Sequence, residues 1–420
     1  MKRTVMSFTV LLFLFTLLPA ATSLWAADKA PRMDVVFLVD TTGSMGDEIA
    51  VVKKSLVDMI AEIEGGTPRP DVRFGLVIYR DRGDEFVTRL FELTDNTDAV
   101  IKEVKAIEAS GGGDEPESVN EALHVTINNM NWDRNASTEK TIFLIGDAPP
   151  NIYENDYTWQ NEIKTALKRE IIINTIGASG LSTAGVDVFT KIAKGSEGTF
   201  QYLTYKGEYV TESGETETVM MAGGDYYAMD DKKDEGFWKL GAGRAEEKGL
   251  ASKVPAPSVA EGAPDLDGTA GRGYGDDVAI VDNNLDSILV SGMKQKMIEK
   301  GVTYGTPITH EVLFTDTIDY ALVDTEFTAT TADELKKIAK ELGIDYAKIP
   351  AVDFTKKSVI GIAADGNRGF YGLAAKEVTL DGGTITVTLV GMPGKIAARP
   401  VIILVVPKQE TLVADWYFAK

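Results

Sequence analysis

The residues with the clearest capacity for chemistry lie in the segment VVFLVDTTGSMGDE, residues 35–48, where an apolar run ends in oxygen-bearing side chains. The carboxylate of Asp40 is followed at alternate positions by the hydroxyls of Thr42 and Ser44. Oxygen ligands on one loop suit a hard divalent cation such as Mg²⁺, which takes about six oxygens and keeps some of its water. The segment therefore predicts a metal site that binds a partner's carboxylate.

A second segment, GGGDEPES at residues 111–118, supplies further carboxylates. Three glycines lead into Asp114, and Pro116 is a favoured first residue of a helix, which would place Glu117 in the first helical turn. We expect this segment to converge on the loop that follows the first apolar run.

A third segment, IFLIGDAPP at residues 142–150, is an apolar run that ends in aspartate, as the first run does. Adjacent parallel strands that both end in aspartate would bring two carboxylates within reach of one metal ion. Aspartate and serine are also common helix caps, and capping is the alternative explanation for each residue alone. Together they favour a metal site, and the five candidate ligands are Asp40, Thr42, Ser44, Glu117 and Asp147.

Short apolar runs alternate with amphipathic helices between residues 34 and 205. Such runs are typical of strands that are buried on both faces, as in a parallel sheet. The alternation predicts a doubly wound, mostly parallel α/β domain, in which ligands bind at the carboxyl ends of strands. The predicted strands are Val35–Val39, Phe74–Tyr79, Ile142–Ile145 and Ile171–Ile176.

The pattern changes after residue 205. Residues 206–282 contain a hairpin with its turn at Ser213 and Gly214, followed by a stretch rich in alanine, proline and glycine, and they predict an insertion and mobile linker. A helix at 283–299 is expected to return and pack on the first domain. Residues 305–408, with mainly strand-like runs and one capped helix, predict a smaller α+β domain that is mainly antiparallel.

The three acidic segments together resemble the von Willebrand factor A-type (vWA) domain and its metal-ion-dependent adhesion site (MIDAS). Asp40, Thr42 and Ser44 match the D-x-[ST]-x-S element, and Asp147 matches the later aspartate at a strand end. The D-x-P-E run that ends at Glu117 resembles integrin β-subunit domains, in which the glutamate reaches the metal. The resemblance implies a Mg²⁺ or Mn²⁺ ion at these five residues.

The resemblance covers residues 33–205 and is completed by the helix at 283–299. It implies that this final helix shifts when a ligand binds, which would couple the metal site to the domain that follows.

The same resemblance implies two further cations. Asp47 and Glu48 fall where integrin β domains hold ligands of an adjacent cation such as Ca²⁺, although both also suit the positive end of a helix dipole. Asp81 and Asp114 fall at positions of a third cation. Gly112 stands where that third site has an asparagine, so this sequence departs from the pattern there.

Residues 352–408 resemble the C-terminal domain of the PrcB-type protease-complex subunit family. The shared features are a D-F-x-K start, a glycine-rich turn before a strand and a final strand that ends in V-P-K. The turn departs from the family pattern, because Arg368–Gly372 replaces a T-G-G-Y-like sequence. Phe370 and Tyr371 in that turn could contact a partner, or could pack on their own domain, which is the simpler interpretation.

The N-terminal residues have the pattern of a secretory signal, with two basic residues before an apolar run. The run is short for a membrane span, which needs about 20 residues. We therefore expect a signal peptide at 1–26 that is cleaved after Ala26, with no membrane insertion afterwards. Cleavage after Ser23 and retention as an uncleaved anchor are the alternatives.

The chain contains no cysteine, which excludes disulfides, thiolate metal sites and cysteine nucleophiles. An exported chain of this size without disulfides indicates a bacterial periplasm or cell exterior. The formal net charge of −21 opposes nucleic acid and anionic membranes as partners, and it also favours simple solubility.

Enzymatic activity is not expected from this sequence. Hydrolytic metal sites usually need a base near the ion, and of the two histidines His124 would lie about 10 Å along a helix from Glu117. The leading hypothesis is an exported bacterial protein for adhesion or protein–protein interaction, whose divalent cation binds an Asp or Glu carboxylate of a protein partner. The alternative is a regulatory or scaffold subunit of an envelope protease system.

Overall fold

The fold is known from a computed structural model of the chain. Asp47, Asp114, the predicted signal peptide and most of the predicted linker lie outside the residues that it describes. No helix among the described residues is long and apolar enough to cross a membrane. The described residues are 30–46, 48–113, 115–178, 180–211, 213–229, 241–242, 251–257, 278–318, 324–381, 383–393, 399–409 and 412–419.

The first part of the chain forms a six-stranded sheet in the order β3-β2-β1-β4-β5-β6. β3 is antiparallel to β2, and the other neighbours are parallel. Every residue of β1 after its first is buried, which explains why the sequence shows an unbroken apolar run. The strands are β1 (Arg32–Asp40), β2 (Asp71–Tyr79), β3 (Thr88–Thr94), β4 (Glu139–Gly146), β5 (Ile171–Gly177) and β6 (Phe200–Tyr202).

Helices cover both faces of this sheet. Alternate side chains of β1 enter two different cores, with Phe37 on the face covered by α1 and α2 and Leu38 on the face covered by α3, α4 and α5. The prediction of a doubly wound, mostly parallel α/β domain is therefore confirmed. The helices are α1 (Ile49–Glu64), α2 (Thr97–Lys105), α3 (Val119–Asn129), α4 (Trp159–Lys168) and α5 (Thr183–Gly195).

The start of α3 differs from the prediction. Pro116 does not begin the helix, which starts at Val119. Glu117 lies in the preceding loop because its backbone N–H donates to the Pro149 carbonyl and its carbonyl accepts from the Asn151 N–H. These bonds tie Glu117 to the loop after β4, outside the helix.

A long insertion separates β6 from the last helix of this unit, α6 (Leu285–Glu299). Its described part is an antiparallel sheet in the order β10-β9-β8-β7-β11. Residues 251–254, within the stretch expected to be a mobile linker, form a strand because they pair with β9. The strands are β7 (Thr204–Val210), β8 (Thr216–Ala222), β9 (Asp225–Met229), β10 (Ala251–Val254) and β11 (Ala279–Asn283).

Helix α6 returns to the first sheet, as its apolar face predicts. Its buried side chains share one core with those of α1 and β1, and Lys294 forms an ion pair with Glu62 of α1. The apolar residues of α6 in this core are Leu285, Ile288, Leu289, Val290, Met293, Met297 and Ile298.

The C-terminal part is a β-sandwich of two four-stranded sheets, β12-β16-β17-β19 and β13-β18-β15-β14. Their facing side chains form one core, and helix α7 covers the other face of the second sheet. The sandwich extends beyond the expected end at residue 408, because β19 pairs in parallel with β17. The elements are β12 (Thr306–Pro307), β13 (Glu311–Ile318), β14 (Thr325–Ala329), α7 (Ala332–Glu341), β15 (Lys357–Ala363), β16 (Phe370–Asp381), β17 (Thr384–Pro393), β18 (Arg399–Pro407) and β19 (Val413–Ala419).

Candidate metal centre

Asp40 is the last residue of β1, and its carboxylate organises the loop that follows. The side chain is fully buried, and Oδ1 accepts hydrogen bonds from Thr42 N at 2.9 Å and from Thr42 Oγ1 at 2.7 Å. The Thr42 hydroxyl lies 3.1 Å from Ser44 Oγ. One carboxylate and two hydroxyls are thus grouped in one loop, as their alternate spacing predicts.

The glycine-rich loop is bonded directly to this one. Gly43 N donates to the Gly111 carbonyl at 2.9 Å. Gly112 adopts a φ of +65°, and a Cβ there would lie 2.9 Å from Glu117 Oε1 and 3.0 Å from Thr42 Cβ. The Glu117 carboxyl is therefore adjacent to Thr42, and a side chain at position 112 would crowd both residues.

Glu117 is also held beside the loop that follows β4. Its N–H donates to the Pro149 carbonyl at 3.0 Å, and its carbonyl accepts from Asn151 N at 2.6 Å. Asp147, the first residue after β4, is buried at the start of this loop. Because β1 and β4 are parallel neighbours, Asp40 and Asp147 lie at the same edge of the sheet.

The electrostatics of the cluster are unfavourable without a cation. Burial raises the pKa of the Asp40 carboxyl well above its usual range, and the charge of Asp147 raises it further. Burial and the charge of Asp40 raise the pKa of Glu117 to about 9. Asp40 Oδ2 and Glu117 Oε2 are buried and accept no hydrogen bond of normal geometry. The Tyr79 hydroxyl adjoins the Asp40 carboxyl and partly compensates its charge. Buried carboxylate oxygens without a well-formed hydrogen bond suit a bound cation.

The donor set defines the kind of cation that fits. Within the part of the chain that the structure describes, no three carboxylate, imidazole or thiolate groups enclose a metal by themselves. The cluster instead mixes carboxylates with the hydroxyls of Thr42 and Ser44, so water must complete the coordination. Hard oxygen ligands with retained water suit Mg²⁺ or Mn²⁺ rather than a thiolate-seeking metal.

The residues proposed for further cations differ in their surroundings. Asp47 and Asp114 lie outside the described residues. Glu48 is buried immediately before α1, and its carbonyl accepts the Val52 N–H of that helix. Its role as a ligand stays a prediction.

Asp81 has hydrogen-bond donors where the third cation was expected. Its Oδ1 accepts from Ser118 Oγ at 2.7 Å, and Tyr153 OH lies 2.6 Å from its Oδ2. Burial and the hydrogen bond to Asp81 raise the pKa of Tyr153 to about 12, so the phenol is a donor. Asp81 thus connects Ser118, next to Glu117, with the loop after β4.

We expect Asp81→Asn to reduce the free energy of unfolding by about 1–3 kcal/mol, because two hydroxyls lose a charged acceptor. The Glu117 loop should also shift, because Ser118 loses its charged acceptor, and the Mg²⁺ affinity should therefore fall about tenfold. Calorimetry should give the same number of bound Ca²⁺ ions for the variant and the wild type. A Ca²⁺ ion that the wild type binds and the variant loses would instead make Asp81 a ligand.

Sequence reasoning missed Asp84, which fixes the glycine loop. Its Oδ2 accepts from Gly112 N at 2.9 Å and from Asp81 N at 3.1 Å. Arg82 packs over the Tyr153 ring, with its guanidinium carbon 4.0 Å from the ring centroid. Arg82, Gly83 and Asp84 thus form a turn in which both charged side chains make contacts. Gly112 and Tyr153 are far in sequence from residues 82–84, so no local pattern could have predicted these two contacts.

His124 belongs to a separate contact between α3 and α4. Its Nδ1 lies 3.0 Å from Glu162 Oε1, and its ring stacks on Tyr157 with centroids 3.6 Å apart. These contacts join two helices.

The raised carboxyl pKa values predict how pH acts on the protein without metal. Glu117 keeps its proton in the folded state up to about pH 9, whereas the unfolded chain loses it near pH 4.5. The folded state therefore loses stability as the pH rises through this range, since it binds more protons than the unfolded state. Melting temperatures measured in chelator should fall across this range, and Mg²⁺ should flatten the fall. Equal slopes with and without Mg²⁺ would contradict a cation at these carboxylates.

Known proteins show similarity to the first domain. Residues 34–204 match the family model described as the von Willebrand factor A domain. Human von Willebrand factor A domain-containing protein 7 is 32% identical over 123 residues, which cover 29% of this chain and 13% of that protein. The chain therefore spans less than a fifth of the length of that relative.

Two solved structures are similar to part of this chain. BatB from Bacteroides thetaiotaomicron has 12% sequence identity and a TM-score of 0.31, and covers 40% of this chain and 89% of that one. Proximal thread matrix protein 1 from the mussel byssus, described with a zinc-occupied MIDAS motif, has 18% identity and a TM-score of 0.34, and covers 41% of this chain and 42% of that one.

The family model and the observed sheet agree on the same part of the chain. Residues 34–204 contain the doubly wound sheet, and Asp40 and Asp147 lie at the carboxyl edge of that sheet. Residues 34–204 are a von Willebrand factor A domain.

Proposed function

We propose that this protein is a metal-dependent, non-enzymatic protein-binding protein that acts outside the bacterial cytoplasm. Thr42, Ser44 and Glu117 would hold Mg²⁺ or Mn²⁺, with Asp40 and Asp147 acting partly through water. An Asp or Glu carboxylate of a protein partner would occupy a remaining coordination position. The bound cation supplies the positive charge that attracts that carboxylate. A vWA domain is compatible with interaction or adhesion.

The observation that carries the proposal is a pair of buried carboxylate oxygens that accept no well-formed hydrogen bond, Asp40 Oδ2 and Glu117 Oε2, beside two hydroxyls. Without a cation, this cluster and the net charge of −21 would repel an acidic partner. A divalent cation would offset most of the charge of these carboxylates, and its open coordination position would bind a partner carboxylate directly.

Helix α6 offers a physical connection from this domain to the C-terminal sandwich. Gln295 donates from Nε2 to the Phe418 carbonyl at 3.0 Å, and Tyr417 belongs to the same core as α6. A shift of α6 on partner binding would therefore move contacts with β19. This coupling is part of the proposal.

Calorimetric titration with Mg²⁺ and Mn²⁺ tests the proposal on wild type and Thr42→Val. Valine keeps the shape of threonine but removes the hydroxyl, so metal affinity should fall at least about tenfold. Thr88→Val, a change of the same type outside the site, should bind as the wild type does. Equal affinities for all three proteins, or no binding to any of them, would contradict the proposed site.

The partner is tested separately. The immobilised wild-type protein should retain an envelope protein in Mg²⁺ and release it in chelator, and immobilised Thr42→Val should retain much less. Retention that is independent of metal would point to binding elsewhere on the chain.

A further inference from the structure

The rim of the metal site carries an unpacked apolar side chain. Ile152 is 89% exposed, the largest value for a large hydrophobic residue in the described part of the chain. It lies on the loop between β4 and α4, two residues after Pro150, which forms an isolated bridge with Glu117. Single exposed apolar residues are common, so its position and its support decide whether it has a role.

The backbone on both sides of Ile152 is firmly held. Asn151 N donates to the Glu117 carbonyl at 2.6 Å, and the Asn151 carbonyl accepts from Asn120 Nδ2 at 2.9 Å. Asn151 Oδ1 accepts from Ile152 N at 2.9 Å. On the other side, the Tyr153 hydroxyl is bonded to Asp81. These bonds fix the backbone at Ile152, which lowers the backbone entropy that binding would remove.

Ile152 is also close to Glu117, a candidate ligand of the cation. Paired segments lie about 4.8 Å apart and an extended chain advances about 3.3 Å per residue, so Ile152 lies roughly 8 Å from the Glu117 backbone. An extended partner peptide covers that distance in two to three residues. A peptide whose carboxylate reaches the cation is therefore long enough to place a nearby side chain at Ile152.

We propose that Ile152 is the apolar anchor of the partner-binding surface, and that the partner is a protein segment with an Asp or Glu and a large apolar side chain one to three positions away. This rests on the proposed function. The strongly acidic chain gives no long-range attraction for such a segment, so metal coordination and apolar contact must supply the affinity together. Ile152 would then determine which acidic segments bind tightly. A segment with only polar residues beside its Asp or Glu would contact the metal but not Ile152.

A randomised peptide-display library tests this on the immobilised full-length protein, with binding in Mg²⁺ and elution in chelator. The eluted peptides should contain Asp or Glu with Leu, Ile, Phe or Met one to three positions away. The strongest peptide is then labelled, and its binding is measured by fluorescence anisotropy.

Ile152→Ser should weaken that peptide at least about tenfold, as expected for loss of an interface anchor, and Ile152→Leu should stay close to wild type. Leu167→Ser is the matched control, because Leu167 is 45% exposed near the far end of α4 and should have no effect. Mg²⁺ affinity by calorimetry should be the same in all four proteins.

The two failures are distinguishable. Acidic peptides that elute in chelator but show no apolar preference, and that bind Ile152→Ser as tightly as wild type, would overturn the role of Ile152 and leave the metal-dependent function. A library that yields no peptide eluted by chelator would overturn both.

Discussion

Replacing Asp40 by asparagine is expected to abolish the effect of Mg²⁺ on the melting temperature and, in chelator, to raise that temperature. Asparagine keeps the shape and the Oδ1 acceptor that Thr42 N and Thr42 Oγ1 use. It removes a buried charge that burial and Asp147 disfavour, as the raised pKa of Asp40 shows. The same charge is what a divalent cation requires. One substitution should therefore stabilise the protein without metal and remove its response to metal.

The expected sizes follow from general magnitudes. Removing an unfavourable buried charge should add on the order of 1–2 kcal/mol, which corresponds to about 2–8 °C for a domain of 150–250 residues. Mg²⁺ affinity should fall about 100-fold or more, because even groups that only support a ligand contribute 10–100-fold. Melting curves in chelator and in Mg²⁺, at a pH where the unfolded carboxylates are ionised, measure both effects.

Asp58→Asn is the matched control for this change. It removes one carboxylate from an exposed ion pair with Lys54 on α1. Exposed pairs contribute about 0–1 kcal/mol, so this variant should melt close to wild type and respond to Mg²⁺ normally. A lower melting temperature of Asp40→Asn in chelator would mean that Asp40 is stabilised by contacts rather than held for a cation.

The positions of Asp40 and Asp147 could be predicted from the sequence because each ends an apolar run. A run of buried residues indicates a central parallel strand, and parallel neighbours place their ends at one edge. No such rule located the partners of Asp81. Ser118 and Tyr153 are far from Asp81 in sequence, and their hydroxyls reach it only after three loops are packed together. The sequence therefore predicted the candidate ligands better than the contacts that orient them.

Composition was a weaker guide outside the first domain. Residues 251–254 lie in an alanine- and proline-rich stretch whose composition predicts a linker. They form a strand because β9 supplies their backbone hydrogen bonds. The segment Val413–Ala419 follows the expected end of the last domain, but it completes a sheet by pairing with β17. Strand formation depends on a neighbouring edge, and local composition does not reveal that edge.

The packing of helix α6 could be predicted from the helical spacing of its apolar residues, although a long insertion separates it from the first domain. Apolar residues at helical spacing predicted a face that packs on the first domain, and that face lies against α1 in one core. The helix begins more than eighty residues after β6 ends. The core of the vWA domain is therefore completed by a segment outside the residues that match the family model.

This arrangement predicts that Leu289→Ala destabilises the vWA domain itself. Leu289 is fully buried in the core that α6 shares with α1. Truncating such a leucine loses its burial and leaves a cavity, which costs about 2–5 kcal/mol. The unfolding transition of the vWA domain is the one that Mg²⁺ shifts. Its urea midpoint should fall, and the slope of the unfolding free energy against urea concentration should not change. A helix that only connects two domains would leave that transition unaffected.

Ser291→Ala provides the comparison on the same helix. Ser291 is exposed, and its hydroxyl bonds only the carbonyls of the preceding turn, so its loss should change stability by no more than about 0.5 kcal/mol. If Leu289→Ala lowers the midpoint and Ser291→Ala does not, the buried face of α6 is part of the domain that carries Asp40 and Glu117. Because α6 also contacts β19 through Gln295, any displacement of that face must then act on the metal domain and on the sandwich together.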